Sequence, residues 1–472
     1  MRAPEVYRWV VRGTAGIGLA LGPAGRSHAV GGPRGPGAAV AVEPAPAGPA
    51  ATEKAKAWLA ASGAPGLALA IVGRNGVLWS GNFGLADRET GCPVTPETRF
   101  QFASCTKLFT ALVLAQLARE GRLDLDAPIE RYLPELSARH PEPGARPATP
   151  RDVAAHMAGL TRDMEGARAS GREHQYDWSE LVAWFRGAAL TVRPGVEYKY
   201  SNYGYAILGE LLERRASENY RNLVRQRILA PLGMDRSGFG ELAAAQDMAA
   251  AYDAPAAGGN GAEPRRVNDP VWDFGAQAAA SELVATTADM ARFVRAHLAA
   301  DGCGVVCREV RDLLFSPVAV TGQTEAVGLG WHYSWKDGMP RWHHAGQVNG
   351  FRSLVAVRPD VGLGVVLAAN GPGELGPLAV DLLALGAPHA DRTGYARLAG
   401  GYRGSRGLRV TVAVTPRAEL TLEVRGAVRL VPWGPDTYRV AEGLNAGEWV
   451  RFCDEGGRIV MLWEHRRAVR RP

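Results

Sequence analysis

Lysine is nearly missing from this chain: only five of its 54 basic residues are lysines, and arginine supplies the rest. The formal surplus of +6 over 472 residues is also not where a nucleic-acid enzyme would need it, since residues 1–50 carry +3, residues 51–388 carry −3 and residues 389–472 carry +6. A central body of net negative charge, with no clustered basic stripe and no reading motif, excludes nucleic acid as the expected partner. The arginine-rich end reads as the solvated face of a small domain. Cysteine is scarce too. Cys92, Cys105, Cys303, Cys307 and Cys453 are an odd number in a chain too large to need staples, and none sits at zinc-ligand spacing. Cys303 and Cys307 are placed for a local disulfide if the protein is exported, and no metal or cofactor is expected. No apolar run reaches the roughly 18 residues of a membrane span.

What is present is a globular composition, 46% hydrophobic and 22% charged, in a length that predicts one large and one small domain. Residues 1–50 read as a flexible extension or a weak targeting segment. Arg2, Arg8 and Arg12 precede a short apolar stretch broken by glycines and a proline, and Ser27-His28-Ala29 only loosely resembles a cleavage site. A cytoplasmic location is the first expectation, with export as the alternative. Residues 31–50, mostly Gly, Pro and Ala, read as a linker.

Residues 66–72 and 76–81 predict two strands joined at Arg74-Asn75-Gly76, with a helix over 52–61 before them. Residues 106–122 carry Leu108, Leu112, Leu114 and Leu117 at helical spacing, with Gly121 as the stop, which predicts a long, partly buried helix. Helices are also expected over 205–212, 223–229 and 288–295, the last capped by Thr287. Two further strands, 351–358 and 361–369, flank a Pro359-Asp360 turn. Strands at both ends of the body with helices between them imply one sheet assembled from distant segments, plus a helical lobe. From about residue 392 the texture changes to short apolar runs between glycine turns, which predicts a small antiparallel barrel.

The chemistry-bearing run is Phe102-Ala103-Ser104-Cys105-Thr106-Lys107. Three positions along a helix put Ser104 and Lys107 on one face, where a neutral amine can take a hydroxyl proton. Ser104 at a helix start also has unpaired amides beside it to stabilise negative charge. Cys105 reads as a small buried helix residue. Two later segments add weight: Tyr200-Ser201-Asn202, and His344-Ala345-Gly346 followed by Gln347. Lysine and tyrosine both have reference pKa values near 10, so neither is a ready base until its surroundings shift it, and the proton is open to sharing among Ser104, Lys107 and Tyr200.

Together these segments, in this order, resemble the serine beta-lactamase and penicillin-binding-protein superfamily, especially its class C-like esterase and D-aminopeptidase branch. Phe83-Gly84-Leu85-Ala86-Asp87, Thr98-Arg99-Phe100 and Pro194-Gly195 support the match. The resemblance implies an α+β fold, an antiparallel sheet flanked by helices plus a helical lobe, over residues 51–388, with a lipocalin-like barrel over 389–472. It implies Ser104 as nucleophile, Tyr200 as its base, Lys107 and Asn202 in the supporting network, and backbone amides of Ser104 and Gln347 as oxyanion hole. It also implies His344 as a donor to Tyr200 or to a substrate carboxylate, and His156 as a support for the fold. Many relatives carry Lys-Thr-Gly where this chain has His344-Ala345-Gly346, which turns the expectation from beta-lactam hydrolysis toward esters and small amides or peptides. Gly346 lets the strand approach substrate. Glu282 stands where relatives often have a glycine pair, so it is expected either to line the cleft and attract a substrate amine or to face solvent. Trp272, Phe274, Trp331 and Trp342 are candidates for the cleft lining or for core. Alternatives are an acyltransferase or peptide cyclase of the penicillin-binding-protein-type thioesterase kind, a beta-lactamase, a D-aminopeptidase, or an inactive sensor or scaffold. The expected partner is a small ester, amide or peptide; the oligomeric state is left open.

Overall fold

The structure is a computed structural model that describes residues 48–136, 145–163, 176–187 and 192–386, apart from short gaps at 243, 255–262, 269, 271, 300–303, 323–324 and 337–338, together with the backbone of the strands between 400 and 470. Two of its most apolar segments, Gly66–Gly73 and Leu363–Ala369, lie side by side at the centre of a nine-stranded antiparallel sheet and are buried along their whole length. Burial on both faces explains why neither shows alternation of apolar with polar residues. Ala68, Ala70, Val72, Val366 and Ala368 point into a core shared with the helices Thr106–Arg119 and Thr287–Leu298. Leu67, Leu69, Ile71, Val365 and Leu367 point the other way, onto Gly48–Ser62 and Leu375–Gly386. The period of two along each strand thus serves two separate cores.

From the centre the sheet continues through Phe351–Arg358 and Met339–Val348 to His332–Lys336, Glu325–Val327 and Ala319–Gly322, and on the other side through Gly76–Asp87 to Cys92–Pro93. Strands from the two ends of the body therefore do pair, as the sequence suggested, in register Leu67 with Ala369 and Val72 with Gly364. The mixed α+β class stands.

The helix Thr106–Arg119 departs from expectation in burial. Every residue from Thr106 to Leu117 is buried, because the helix is enclosed by Asn202–Ala216, Ala278–Ser281 and Arg308–Leu314 as well as by the sheet. Its apolar face is real, but the polar face is covered by the helical lobe. Gly121, at φ 70, ends it as predicted. The helix Thr287–Leu298 is capped by Thr286 instead of Thr287: the Thr286 hydroxyl accepts from the Asp289 amide at 3.1 Å.

Beyond residue 400, eight strands run in sequence from Gly400–Gly404 to Arg466–Arg470 and close on themselves, with Tyr402 paired to Arg470. Six of the eight match runs legible in the sequence. The first, Gly-Gly-Tyr-Arg-Gly, and the last, Arg-Arg-Ala-Val-Arg, hide their strand character behind glycine and arginine. Val450 from this region is buried in the same cluster as Leu354 and Leu367 of the main sheet. Cys307 carries a free thiol, and Cys303 lies outside the described residues. No helix among the described residues is long and apolar enough to cross a membrane.

Leu112, fully buried in the central helix, sets the first prediction. Leu112→Ala should lower unfolding stability by about 2–5 kcal/mol, read from urea denaturation, whereas a solvent-facing helix would lose far less.

Candidate active site

Ser104 sits in a single 3-10 turn, Ala103–Cys105, that feeds directly into the helix Thr106–Arg119. Ala103 takes φ 48, a left-handed conformation that costs a non-glycine residue of order 1–2 kcal/mol. The neighbours hold it there. The Thr106 hydroxyl donates to the Ala103 carbonyl at 2.6 Å and accepts from the Leu283 amide at 3.0 Å, while the Ser353 hydroxyl donates to the Phe102 carbonyl at 2.7 Å. Cys105 is buried beneath, its thiol pushed up to about 12 by burial and directed at the His344 carbonyl at 3.4 Å. Such a thiol supports structure and is no nucleophile.

Lys107 is fully buried, and its Nζ lies 3.2 Å from Ser104 Oγ, 2.8 Å from Asn202 Oδ1 and 2.9 Å from the Ala280 carbonyl. The two carbonyl oxygens only accept. A neutral amine therefore spends both hydrogens on them and turns its lone pair to the serine, whereas an ammonium would donate to all three. Burial decides between these states by holding the lysine well below its ordinary pKa, against the partly compensating pull of Asp163. Asn202 is oriented for this role by its own amide group, which donates to Asp163 Oδ1 at 2.9 Å.

Tyr200 lies in the segment just before the helix Asn202–Ala216, and His156 grips it from three sides. The His156 carbonyl accepts from the Lys199 amide at 2.8 Å, its Nδ1 accepts from the Ser201 amide at 3.0 Å, and its ring packs tilted against the tyrosine, 4.4 Å between centres. His156 itself is at φ 59, a second non-glycine residue in the left-handed region. Burial raises the phenol above its ordinary pKa, with a hydrogen bond to Ser104 opposing the rise. Lys107 Nζ stands 4.9 Å from the centre of the same ring and Arg162 5.1 Å.

The strand Met339–Val348 forms the opposite wall. A side chain at Gly346 would come within 2.3 Å of both the Phe102 carbonyl and Ser353 Oγ, so only glycine lets this strand press against the serine turn. Gln347 follows, in register with Arg352 of the next strand. His344 is buried, and its Nδ1 bonds the Ala345 carbonyl at 2.8 Å, which can only accept. Its one N–H is thereby committed, and burial holds the ring well below its ordinary pKa. His344 consequently offers an acceptor at Nε2, where the sequence reading expected a donor.

Two lining assignments are corrected. Glu282 does not face the cleft or solvent: it is fully buried, paired bidentately to Arg221 at 2.7 and 2.8 Å, and accepts from the Gly240 and Phe274 amides. This internal ion pair fastens the helix Tyr220–Val224 to the body. Trp331 is also fully buried, packed on His297 and Phe315, and Phe274 and Trp342 are core as well. Sequence reasoning missed Asp163, Arg162 and His332. Asp163 and Arg162 belong to no motif, and His332 is signalled only by its position in a strand one removed from His344. His332 brings a third imidazole to His156 and His344, with a ring nitrogen of each within 4.8 Å of the others, the spacing of a loose metal-ligand set.

With this geometry in view, comparison with known proteins is decisive about kinship. The beta-lactamase family model matches residues 20–387. The chain belongs to the beta-lactamase family. Beta-lactamase relatives include penicillin-binding protein 4 of Amycolatopsis lactamdurans, 30% identical over 323 residues that cover 65% of this chain and 81% of that protein. Protein flp of Staphylococcus aureus strain N315 is 24% identical over 68% of this chain, which spans less than two thirds of it, 62%. Among solved structures, the octameric penicillin-binding protein homologue of Pyrococcus abyssi superposes with TM-score 0.61 at 21% identity over 89% of this chain and 99% of its own. The D-alanine carboxypeptidase AmpC of Burkholderia cenocepacia gives 0.58 at 22% over 72% and 98%. Membership in this beta-lactamase family carries serine-hydrolase chemistry through an acyl-enzyme as a general class.

Removing one partner of the Glu282–Arg221 pair should be costly. Glu282→Ala is expected to lose about 3–5 kcal/mol of stability by urea denaturation, without changing any preference between amine-bearing and neutral substrates. Histidines shifted down by desolvation, His297 fully buried and His332 and His343 half-buried, predict a pH effect of definite sign. Burial pushes His297 and His332 down to about 4 and His343 to about 3, whereas in the unfolded chain each titrates near its ordinary 6.5. Between those limits the unfolded chain binds more protons, so stability should be full above about 6.5 and fall as pH drops toward 4. Melting temperatures across that window check it.

Proposed function

We propose that this chain is a serine hydrolase that transfers an acyl group from an ester or a small amide or peptide to Ser104 and then to water. The observation that carries the reading is the placement of Lys107: its buried Nζ lies 3.2 Å from Ser104 Oγ with two carbonyl acceptors beside it, and burial favours the neutral amine that can take the hydroxyl proton. In the acylation step the Ser104 proton passes to Lys107 Nζ as Oγ bonds the substrate carbonyl carbon. Backbone amides of Ser104 and Gln347 receive the developing oxyanion. The bond to the leaving group then breaks, and that group departs with a proton from the Tyr200 phenol, which is restored from the Lys107 ammonium. Water repeats the sequence in reverse, with Ser104 as the leaving group.

The family resemblance implies Tyr200 as the base, but the opposite pKa shifts favour the lysine for that task. Burial acts on both groups in the direction that removes charge, giving an amine ready to accept a proton and a phenol ready to give one. His344, with its one N–H committed to the Ala345 carbonyl, has no donor to offer a substrate carboxylate, which supports esters and amides over carboxylate-bearing beta-lactams.

Ser104→Ala should abolish turnover of activated esters and covalent labelling by a fluorophosphonate; labelling that survives this change overturns the reading. Lys107→Met, which keeps the buried volume without the amine, should lower kcat by about 10²–10⁴-fold, measured with the same esters.

A further inference from the structure

The three histidines around Tyr200 come from separate elements: His156 from the turn after Pro150–Ala154, His332 from the start of His332–Lys336, and His344 from Met339–Val348. Their spacing suits a metal, but their tautomers do not. The Ser201 amide can only donate, so His156 Nδ1 is its acceptor and the ring's proton sits on Nε2. A neutral ring in that state has no lone pair left to give a cation. His344 is the opposite tautomer, with the proton on Nδ1 and Nε2 bare. Both Nε2 atoms are buried without a protein partner, in residues only 2% and 1% exposed. His332 stands beside them, its ring centre 5.0 Å from that of His344 and 6.2 Å from that of His156, and its Nε2 at 3.4 Å from the Tyr198 hydroxyl.

We propose that these imidazoles enclose a single structural water, which accepts from His156 Nε2–H and donates to His344 Nε2, with His332 as its further partner. One unmet donor and one unmet acceptor buried together are what a water satisfies and a metal ion does not. The water ties the wall strand Met339–Val348 to the segment that carries Tyr200, so the two sides of the cleft move as one. His156 and His332 are positioning residues in this scheme, acting through Tyr200 and His344 without touching substrate. Only the kinetic consequence rests on the hydrolase reading above.

The test uses the full chain. Nitrogen-15 spectra of histidine-labelled protein at neutral pH should show His156 protonated at Nε2 and His344 at Nδ1, and titration with zinc should produce no stoichiometric change at the three rings. His332→Phe should lower kcat for an activated ester about tenfold, the loss expected for one buried hydrogen bond, with KM unchanged. His332→Asn, which keeps a donor and an acceptor, should recover most of that rate. A bare Nε2 on His156, stoichiometric zinc binding, or an unaltered kcat in His332→Phe overturns the proposal. The spectra report the tautomers whether or not the protein turns over an ester, so failure of the water site and failure of the hydrolase reading are told apart.

Discussion

The candidate active site depends on a lysine amine kept out of water. Lys107 is fully buried in a helix that is itself buried on all sides, and its partners are one hydroxyl and two carbonyl oxygens. An ammonium in that position would have to be desolvated without a carboxylate in direct contact, a cost the protein avoids by leaving the group neutral. The surrounding order serves this end. The helical lobe covers the helix's second face, Asn202 is locked in orientation by Asp163, and the Ala280 carbonyl is delivered by the short helix Ala278–Ser281. Burial also favours the uncharged forms of Tyr200, His156 and His344, and the charge nearest them is the Arg162 and Asp163 pair.

Backbone strain is concentrated around this pocket. Among the described residues, four non-glycine residues have positive φ, and two of them, Ala103 and His156, lie next to the serine and beneath Tyr200. Each is held by specific bonds, Ala103 through Thr106 and His156 through the amides on either side of Tyr200. Stored strain of this kind persists where the surroundings over-determine a conformation, as expected of a preorganised reaction centre.

Much of this was legible in the sequence, for reasons that differ from residue to residue. Ser104, Lys107, Tyr200 and Asn202 stand out in the sequence because a hydroxyl, an amine, a phenol and an amide fall in short contiguous motifs, and the structure brings all four together. The central strands were found because their apolar runs are unbroken. Glu282 and Trp331 were misplaced because sequence proximity to a motif says nothing about which way a side chain points, and Arg221, the partner that buries Glu282, is 61 residues away. His344 lies beside Tyr200, but the donor role expected of it does not fit, since a tautomer is fixed by a neighbouring carbonyl that no residue pattern reveals. His332 and Asp163 belong to no motif at all, and only folding shows that they converge.

One contact has a consequence for synthesis. The Cys105 thiol meets the His344 carbonyl across 239 positions of chain, and the sheet closes only when Leu363–Ala369 reaches Gly66–Gly73. The serine emerges from the ribosome long before the wall that faces it. Until nearly the whole body has been made, the nascent chain carries the Ser104 turn without the strand that faces it, and the candidate site is completed only late in the protein's own birth.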